Sequence, residues 1–264
     1  TAAVNKLFDR YLTLLIDTAS RVPAISVSSR TDFERYASGH GAEAPPGAAT
    51  GLPCGLTPSG RDLRESPWPR PYALFVGTVE SRKNHLLAVR TWRALIDRHG
   101  AEAIPDLVCV GRLGWNTGEF LREYVYSRGL DGKFSVLSSS VGDDELARMY
   151  AHAEFTVYPS NYEGWGLPVS ESIAFGKVPV VADNSSLREA GGDLAVYFET
   201  GNRDSFVTAL ENNVLDRGRR SELEERIRTS HPNAITWEDV VRTIASEIAA
   251  SERRNPVFPT VELG

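Results

Sequence analysis

"EFTVYPSNYEGWGLPVSESIAFGKVPVVA", residues 154–182, contains a strand, a loop, a helix and a second strand in one continuous run. "EFTVYP" (154–159) and "VPVVA" (178–182) are short apolar runs rich in β-branched residues. Between them "LPVSESIAFG" (167–176) places apolar residues at helical spacing and stops at glycine, as helices do. Strands that are apolar on both faces and separated by helices form a parallel sheet covered on both sides.

The same alternation extends in both directions. "ALFVG" (73–77), "DLVCVG" (106–111), "FSVL" (134–137) and "AVYF" (195–198) read as further strands. Helical patterns fill the gaps at 84–100, 118–129, 143–153 and 185–191, and only helices follow Phe198, at 204–214, 220–230 and 236–251. The fold class is therefore α/β, a Rossmann-like doubly wound parallel sheet. The first part of the chain differs: 4–20 reads as an amphipathic helix, "AISVSS" (24–29) as a strand and "TDFERYAS" (31–38) as a helix capped by Thr31. Seven prolines and five glycines between Gly41 and Pro71 mark a linker. The expected domains are 1–40 as the end of another α/β domain, 41–71 as linker, 72–235 as a ligand-binding domain, and 236–264 as a C-terminal helix and tail.

Composition sets outer bounds. The chain has 264 residues, 41% hydrophobic and 24% charged, with a net charge of -6 spread along its length. That balance argues against a nucleic-acid surface. Two cysteines, Cys54 and Cys109, lack disulfide or zinc spacing, and no apolar run reaches the roughly 18 residues of a membrane span. No cleavable signal peptide is expected. A cytoplasmic location is the expectation, with peripheral association at the inner face of the membrane.

Open α/β sheets bind ligands at the carboxyl ends of their strands. After the first strand comes "VGTVESRKNH" (76–85), with Gly77 followed by Arg82 and Lys83 before a helix. Adjacent cations beside free backbone N–H groups suit a phosphate or diphosphate; the plainer alternative is a solvated basic pair, which the helix dipole disfavours. In the opening stretch, Gly164 and Gly166 let backbone approach a ligand, and Pro168 fits a helix's first turn. Glu163 precedes this loop and Glu171 lies about one turn into the helix, so both can face one cavity. Hydroxyls are the natural partners of such carboxylates, although each glutamate alone also reads as a helix-start carboxylate. Asp143 and Asp144 read as a helix cap with an acidic first turn rather than a metal pair. The histidines at 40, 85, 99, 152 and 231 show no metal-ligand spacing and read as structural, Trp92 and Trp237 read as core, and Trp165 sits in the glycine loop. No D-x-D, G-x-G-x-x-G after the first strand, Walker or H-E-x-x-H pattern occurs, and no metal is expected.

Taken together, "FVGTVESRKN", "VCVGRLGW", the block from "VGDDELARMY" to "SSLREAGG" and "ITWEDVVRTIASEI" resemble the nucleotide-sugar-binding domain of the retaining glycosyltransferases of family 4, which have the GT-B fold. The resemblance covers about Tyr72 to Ala250. It implies that Glu163 contacts the donor sugar, Glu171 the ribose, Lys83 the phosphates, and the backbone of Gly164, Trp165, Gly166 and Leu167 the sugar and its phosphates. Arg82 would supply the cation that the family often places where Thr78 stands here. The base would meet backbone near Val141. Catalytic roles fall to Glu163, Arg82 and Lys83. The donor would be a nucleoside diphosphate sugar, GDP-mannose or a UDP-sugar, with "E-x-R-K-N" similar to bacterial mannosyl-type members; no further cofactor is implied. The acceptor would be a glycan or lipid-linked saccharide in bacterial polysaccharide synthesis. Two other classes stay open: a non-catalytic nucleotide-sugar-binding module acting with another chain, and a sugar-phosphate enzyme such as an epimerase. A full member also has an N-terminal acceptor-side domain, of which 1–40 would be the end. The expected partners are therefore that missing domain or another chain, and self-association through Leu12, Leu15 and Ile16.

Overall fold

The computed structural model describes residues 2–138, 141–230 and 235–251, with the side chains of 2 and 3 excepted. They divide by internal contact into two units, 1–53 with 235–264, and 54–234.

The larger unit is built on six parallel strands: β1 (Tyr72–Val76), β2 (Asp106–Val110), β3 (Phe134–Leu137), β4 (Thr156–Tyr158), β5 (Pro179–Ala182) and β6 (Val196–Phe198). Their spatial order is β3-β2-β1-β4-β5-β6. The chain winds outward from β1 through β2 and β3, then returns to pair β4 against the other side of β1, with Leu74 opposite Thr156. The order reverses between β1 and β4, and this crevice is where such sheets bind ligands.

Burial on both faces explains the unbroken apolar strands. Ala73 and Phe75 of β1 join a core with Leu87, Trp92 and Leu95 of α3 (His85–His99), Phe120 of α4 (Gly118–Tyr126) and Phe206 of the later helices. Tyr72 and Leu74, one residue out of phase, join a second core with Ala147, Met149 and Tyr150 of the helix Asp143–His152. That helix has the expected acidic first turn, but its N-cap is Gly142, which supplies no side chain. Residues 54–71 form no helix or strand. Leu56, Leu63 and Trp68 nevertheless pack on the second core, and Asp106 accepts hydrogen bonds from Trp68 Nε1 (2.9 Å) and Arg70 Nε (2.7 Å).

The smaller unit contains α1 (Ala2–Thr18), α2 (Val27–Gly39) and the helix Trp237–Ala249, with Arg21 paired to Glu247 at 2.8 Å. Several expectations fail here. The strand at 24–29 is absent: Ala24 makes a single bridge to Ala49, and the helix begins at Val27. Ser26 rather than Thr31 is its cap, accepting from Ser29 N, because a serine hydroxyl satisfies a free helix-end N–H better than an isolated strand satisfies its edges. Leu12, Leu15 and Ile16 are half-buried, while Leu7, Phe8, Tyr11 and Leu14 of the same helix are exposed. Trp237 is exposed rather than core, since it stands at the first helical position beside the Thr236 cap. His231 and the tail 252–264 lie outside the described residues.

Candidate functional site

The loops after β1 and β4 meet at the crevice. Ser81–Lys83 form a single tight turn, and Asn84, with φ 60°, turns the chain into α3 and caps it by accepting from Leu87 N. The basic pair therefore sits on a turn of its own, one residue before the helix. Asn161 of the β4 loop donates its N–H to Arg82 O at 2.8 Å, and Asn84 Nδ2 donates to Asn161 Oδ1 at 3.1 Å. These two bonds fasten the loops to each other.

The basic turn and the glycine loop share a charge cluster. Glu163 is 8% exposed. One of its oxygens accepts from Lys83 Nζ at 2.6 Å, the other from Arg82 Nη1 at 2.5 Å. Arg82 also donates to Tyr162 O and to Glu80, at 2.8 and 2.7 Å. Burial alone would push the Glu163 carboxyl up, but the charge and hydrogen bond of Lys83, a hydrogen bond from Ser160 and the charge of Arg82 more than offset it. The carboxyl is held below the ordinary range. The Lys83 stem lies over Gly77, where an added Cβ would come within 3.4 Å of Lys83 Cε.

The glycine loop is held from behind by β5's following turn. Ser186 Oγ donates to Glu163 O (2.8 Å) and Trp165 O (2.6 Å), while Ser185 Oγ accepts from Glu163 N at 3.0 Å. Asn184 Nδ2 donates to Ser160 O. Gly166 has φ 136°, a region that disfavours side chains, and a Cβ there would meet Leu187 and Ala190 at 3.1 Å. It opens the helix Leu167–Ala174, with Pro168 in the first turn. Trp165 is 7% exposed, and its indole N–H has no hydrogen-bond partner among the described residues. Leu167 is half-buried.

Glu171 takes a different partner. Its carboxylate accepts from Tyr150 Oη at 2.8 Å and lies beside Gly55. Burial raises its pKa, the Tyr150 bond opposes the rise, and Asp143 adds to it. Val141 packs on the second core next to the same helix. The structure thus gathers Gly77, Arg82, Lys83, Glu163 and the glycine loop into one cluster, and gives Glu171 a separate set of neighbours.

Sequence reasoning missed the residues that support this cluster. Ser185, Ser186 and Asn184 carry the signal of a polar turn after a strand, but nothing in their spacing says which loop they hold. Gly111 follows β2, and an added Cβ would fall 2.1 Å from Gly77 O, so the β2 end must be bare for the β1 loop to lie there. Glu80, bound to Arg82, balances the second cation.

A model for glycosyl transferases group 1 matches residues 61–230. Among curated proteins, the chain is 31% identical over 169 residues to O-antigen chain mannosyltransferase B of Escherichia coli, covering 64% of this chain and 43% of that protein. It is 29% identical to the serotype-specific mannosyltransferase WbdA of the same species over 168 residues, 63% of this chain and 20% of WbdA. The chain thus spans less than half the length of either relative. Among solved structures, Anabaena HepE in complex with UDP and glucose superposes with TM-score 0.72 at 14% identity, over 90% of this chain and 65% of that one. A Rickettsia africae glycosyltransferase gives 0.70 at 15%, over 93% and 68%. These likenesses show a shared Rossmann-like fold of GT-B type, and the sequence match goes further. The chain belongs to the group 1 glycosyl transferases.

Proposed function

We propose that this chain is the donor-binding half of a retaining, metal-independent hexosyltransferase of family 4 that moves mannose from GDP-mannose, or a hexose from a UDP-sugar, to a glycan or lipid-linked saccharide. The observation that carries it is the Glu163–Arg82–Lys83 cluster against a bare glycine loop at the sheet's reversal point. Two cations there are balanced by Glu80 and Glu163. An incoming diphosphate brings more negative charge and takes over the hydrogen bonds of Arg82 and Lys83, which frees the Glu163 carboxylate for sugar hydroxyls. The N-terminus of the helix Leu167–Ala174 and the amides of Gly164–Leu167 face the same anion. The mannosyltransferase relatives support the choice of sugar.

In the transfer, the bond between the anomeric carbon and the phosphate oxygen breaks, leaving its electron pair on the phosphate. Arg82, Lys83 and the helix N-terminus stabilise that growing charge, the role a metal plays on other folds. The acceptor oxygen then bonds to the same face of the anomeric carbon, and its proton passes to the leaving phosphate. Glu171 holds the ribose hydroxyls, and the backbone near Val141 meets the base. The work is placed on the cytoplasmic side, at the membrane periphery, in polysaccharide synthesis. Among the described residues no helix is long and apolar enough to cross a membrane. A thermal-shift panel of UDP, GDP, ADP and their sugars tests the reading. One nucleoside diphosphate should raise the unfolding temperature well above the others; no shift with any of them would contradict it.

A further inference from the structure

Glu163 has two cationic partners, whereas no lysine or arginine pairs with Glu171 among the described residues. Glu171 is half-buried, so a ligand can reach it. Its Oε2 accepts from Tyr150 Oη at 2.8 Å, and an added Cβ at Gly55 would stand 3.7 Å from its Oε1. Burial and the charge of Asp143 disfavour the ionised form, and the Tyr150 bond opposes them. A carboxylate is a costly acceptor if its only task is to satisfy a phenol. A neutral oxygen would do that without desolvating a charge. The charge has a purpose if a ligand brings further hydroxyl donors to it.

Tyr150 itself is fully buried on the helix Asp143–His152, and its ring stacks on Phe175 at 5.3 Å. Burial raises the phenol well above its ordinary range, so the hydroxyl stays protonated and donates. A group of buried hydroxyls continues from it. Tyr158, which bears on Tyr150, lies with its Oη 2.9 Å from Ser172 Oγ. Thr156 Oγ1 donates to Ser172 Oγ at 2.8 Å, and Ser172 Oγ donates to Pro168 O at 2.7 Å. Because the Ser172 proton goes to Pro168, Tyr158 is the donor in its pair with Ser172. Each of these four hydroxyls then has one proton with one acceptor, and a satisfied buried network is rigid. The network ties Glu171 to β4 and to the first turn of the helix Leu167–Ala174, next to the glycine loop. A carboxylate has about four acceptor positions; Tyr150 takes one and leaves the others for a ligand.

We infer that Tyr150 is a positioning residue: it fixes the Glu171 carboxylate for the two ribose hydroxyls of the donor, and so sets the site's preference for ribonucleotides over nucleotides that lack those hydroxyls. The inference rests on the reading of Glu171 as the ribose ligand. The titratable groups around Glu171 are Tyr150 and Asp143 on one helix, Tyr158 on β4 and Cys54 before β1. Burial raises the Cys54 thiol to about 11 and the Tyr158 phenol as well, so both stay neutral near pH 7. Loss of the Tyr150 bond therefore leaves burial and Asp143 to raise Glu171 further. The ionised carboxylate accepts from both ribose hydroxyls, so their contribution to binding should fade at a higher pH once that bond is gone.

Calorimetry of GDP and UDP against their 2′,3′-dideoxy forms tests this, with the wild-type chain, Tyr150→Phe and Glu171→Gln. Tyr150→Phe keeps the ring and its stack and removes one oxygen. It should bind the ribonucleotide about tenfold more weakly, bind the dideoxy form as the wild type does, and lose its ribonucleotide preference at a higher pH on acidification. Equal losses for both forms would mean a merely structural tyrosine, and an unaltered preference would overturn the inference too. Should the stranded carboxylate unfold that variant, the double variant Tyr150→Phe/Glu171→Gln carries the test. It should match Glu171→Gln for both forms, and a further loss for the ribonucleotide alone would overturn the inference. Glu171→Gln separates the two claims. If it abolishes the preference while Tyr150→Phe keeps it, only the role of Tyr150 falls; if it keeps the preference, the ribose assignment of Glu171 falls first.

Discussion

The two glutamates eight positions apart differ in what their surroundings do to a charge. Glu163 is buried but paired with Lys83 and Arg82, so the folded protein favours its ionised form. A carboxyl lowered in the folded state contributes stability that is present above its unfolded pKa and lost as pH falls through the folded one. Glu163→Gln should therefore lower stability at pH 7 by about 1–3 kcal/mol, a difference that shrinks as both proteins are acidified below the carboxylate range. Denaturant melts across pH check this; an equal loss at all pH values would mean the effect is packing. Glu171 has the opposite sign: burial raises it, and its stabilising contribution is lost as pH rises through its folded value. Glu171→Gln should melt no lower than wild type at pH 7, weaken binding of a nucleoside diphosphate, and leave inorganic pyrophosphate binding unchanged. Unfolding of that variant would show a helix-start carboxylate instead of a ribose ligand.

Loops matter more than strands for this site. Ser186→Ala removes the donor to two carbonyls of the glycine loop, those of Glu163 and Trp165. It should reduce donor affinity about tenfold through the freed loop and lower the melting temperature by several degrees; calorimetry of donor binding beside a melt reads both. A normal affinity would mean that the loop holds its shape without β5's turn. The sheet itself was legible, since its strands are apolar on both faces and its helices carry their own stop signals. The glycine loop and the basic turn were legible too, because positive φ and paired cations select few residue types. What escaped was pairing between loops. Asn184, Ser185 and Ser186 read only as turn formers, and nothing local says that they hold a backbone 21 to 24 residues earlier. The strand expected at 24–29 failed for a related reason: a short alternating run without a neighbouring strand cannot outcompete a serine-capped helix.

At the scale of the whole molecule, the proposed donor site falls within the unit 54–234, which holds the sheet, both loops and Glu171. Its cations replace a metal in the account above. Affinity for a nucleoside diphosphate should then change by less than about twofold when EDTA or Mg²⁺ is added, as measured by calorimetry; binding that requires the ion would contradict the electrostatic argument. The claim on which everything else depends is that Lys83 meets a diphosphate. Titrating GDP, UDP and the matching nucleosides into the wild-type chain and Lys83→Ala tests it most directly. The account predicts one saturable site for a nucleoside diphosphate, weakened in Lys83→Ala by about 1.5–3 kcal/mol, with nucleoside affinity unaltered. Equal losses for diphosphate and nucleoside, or no loss at all, would contradict it.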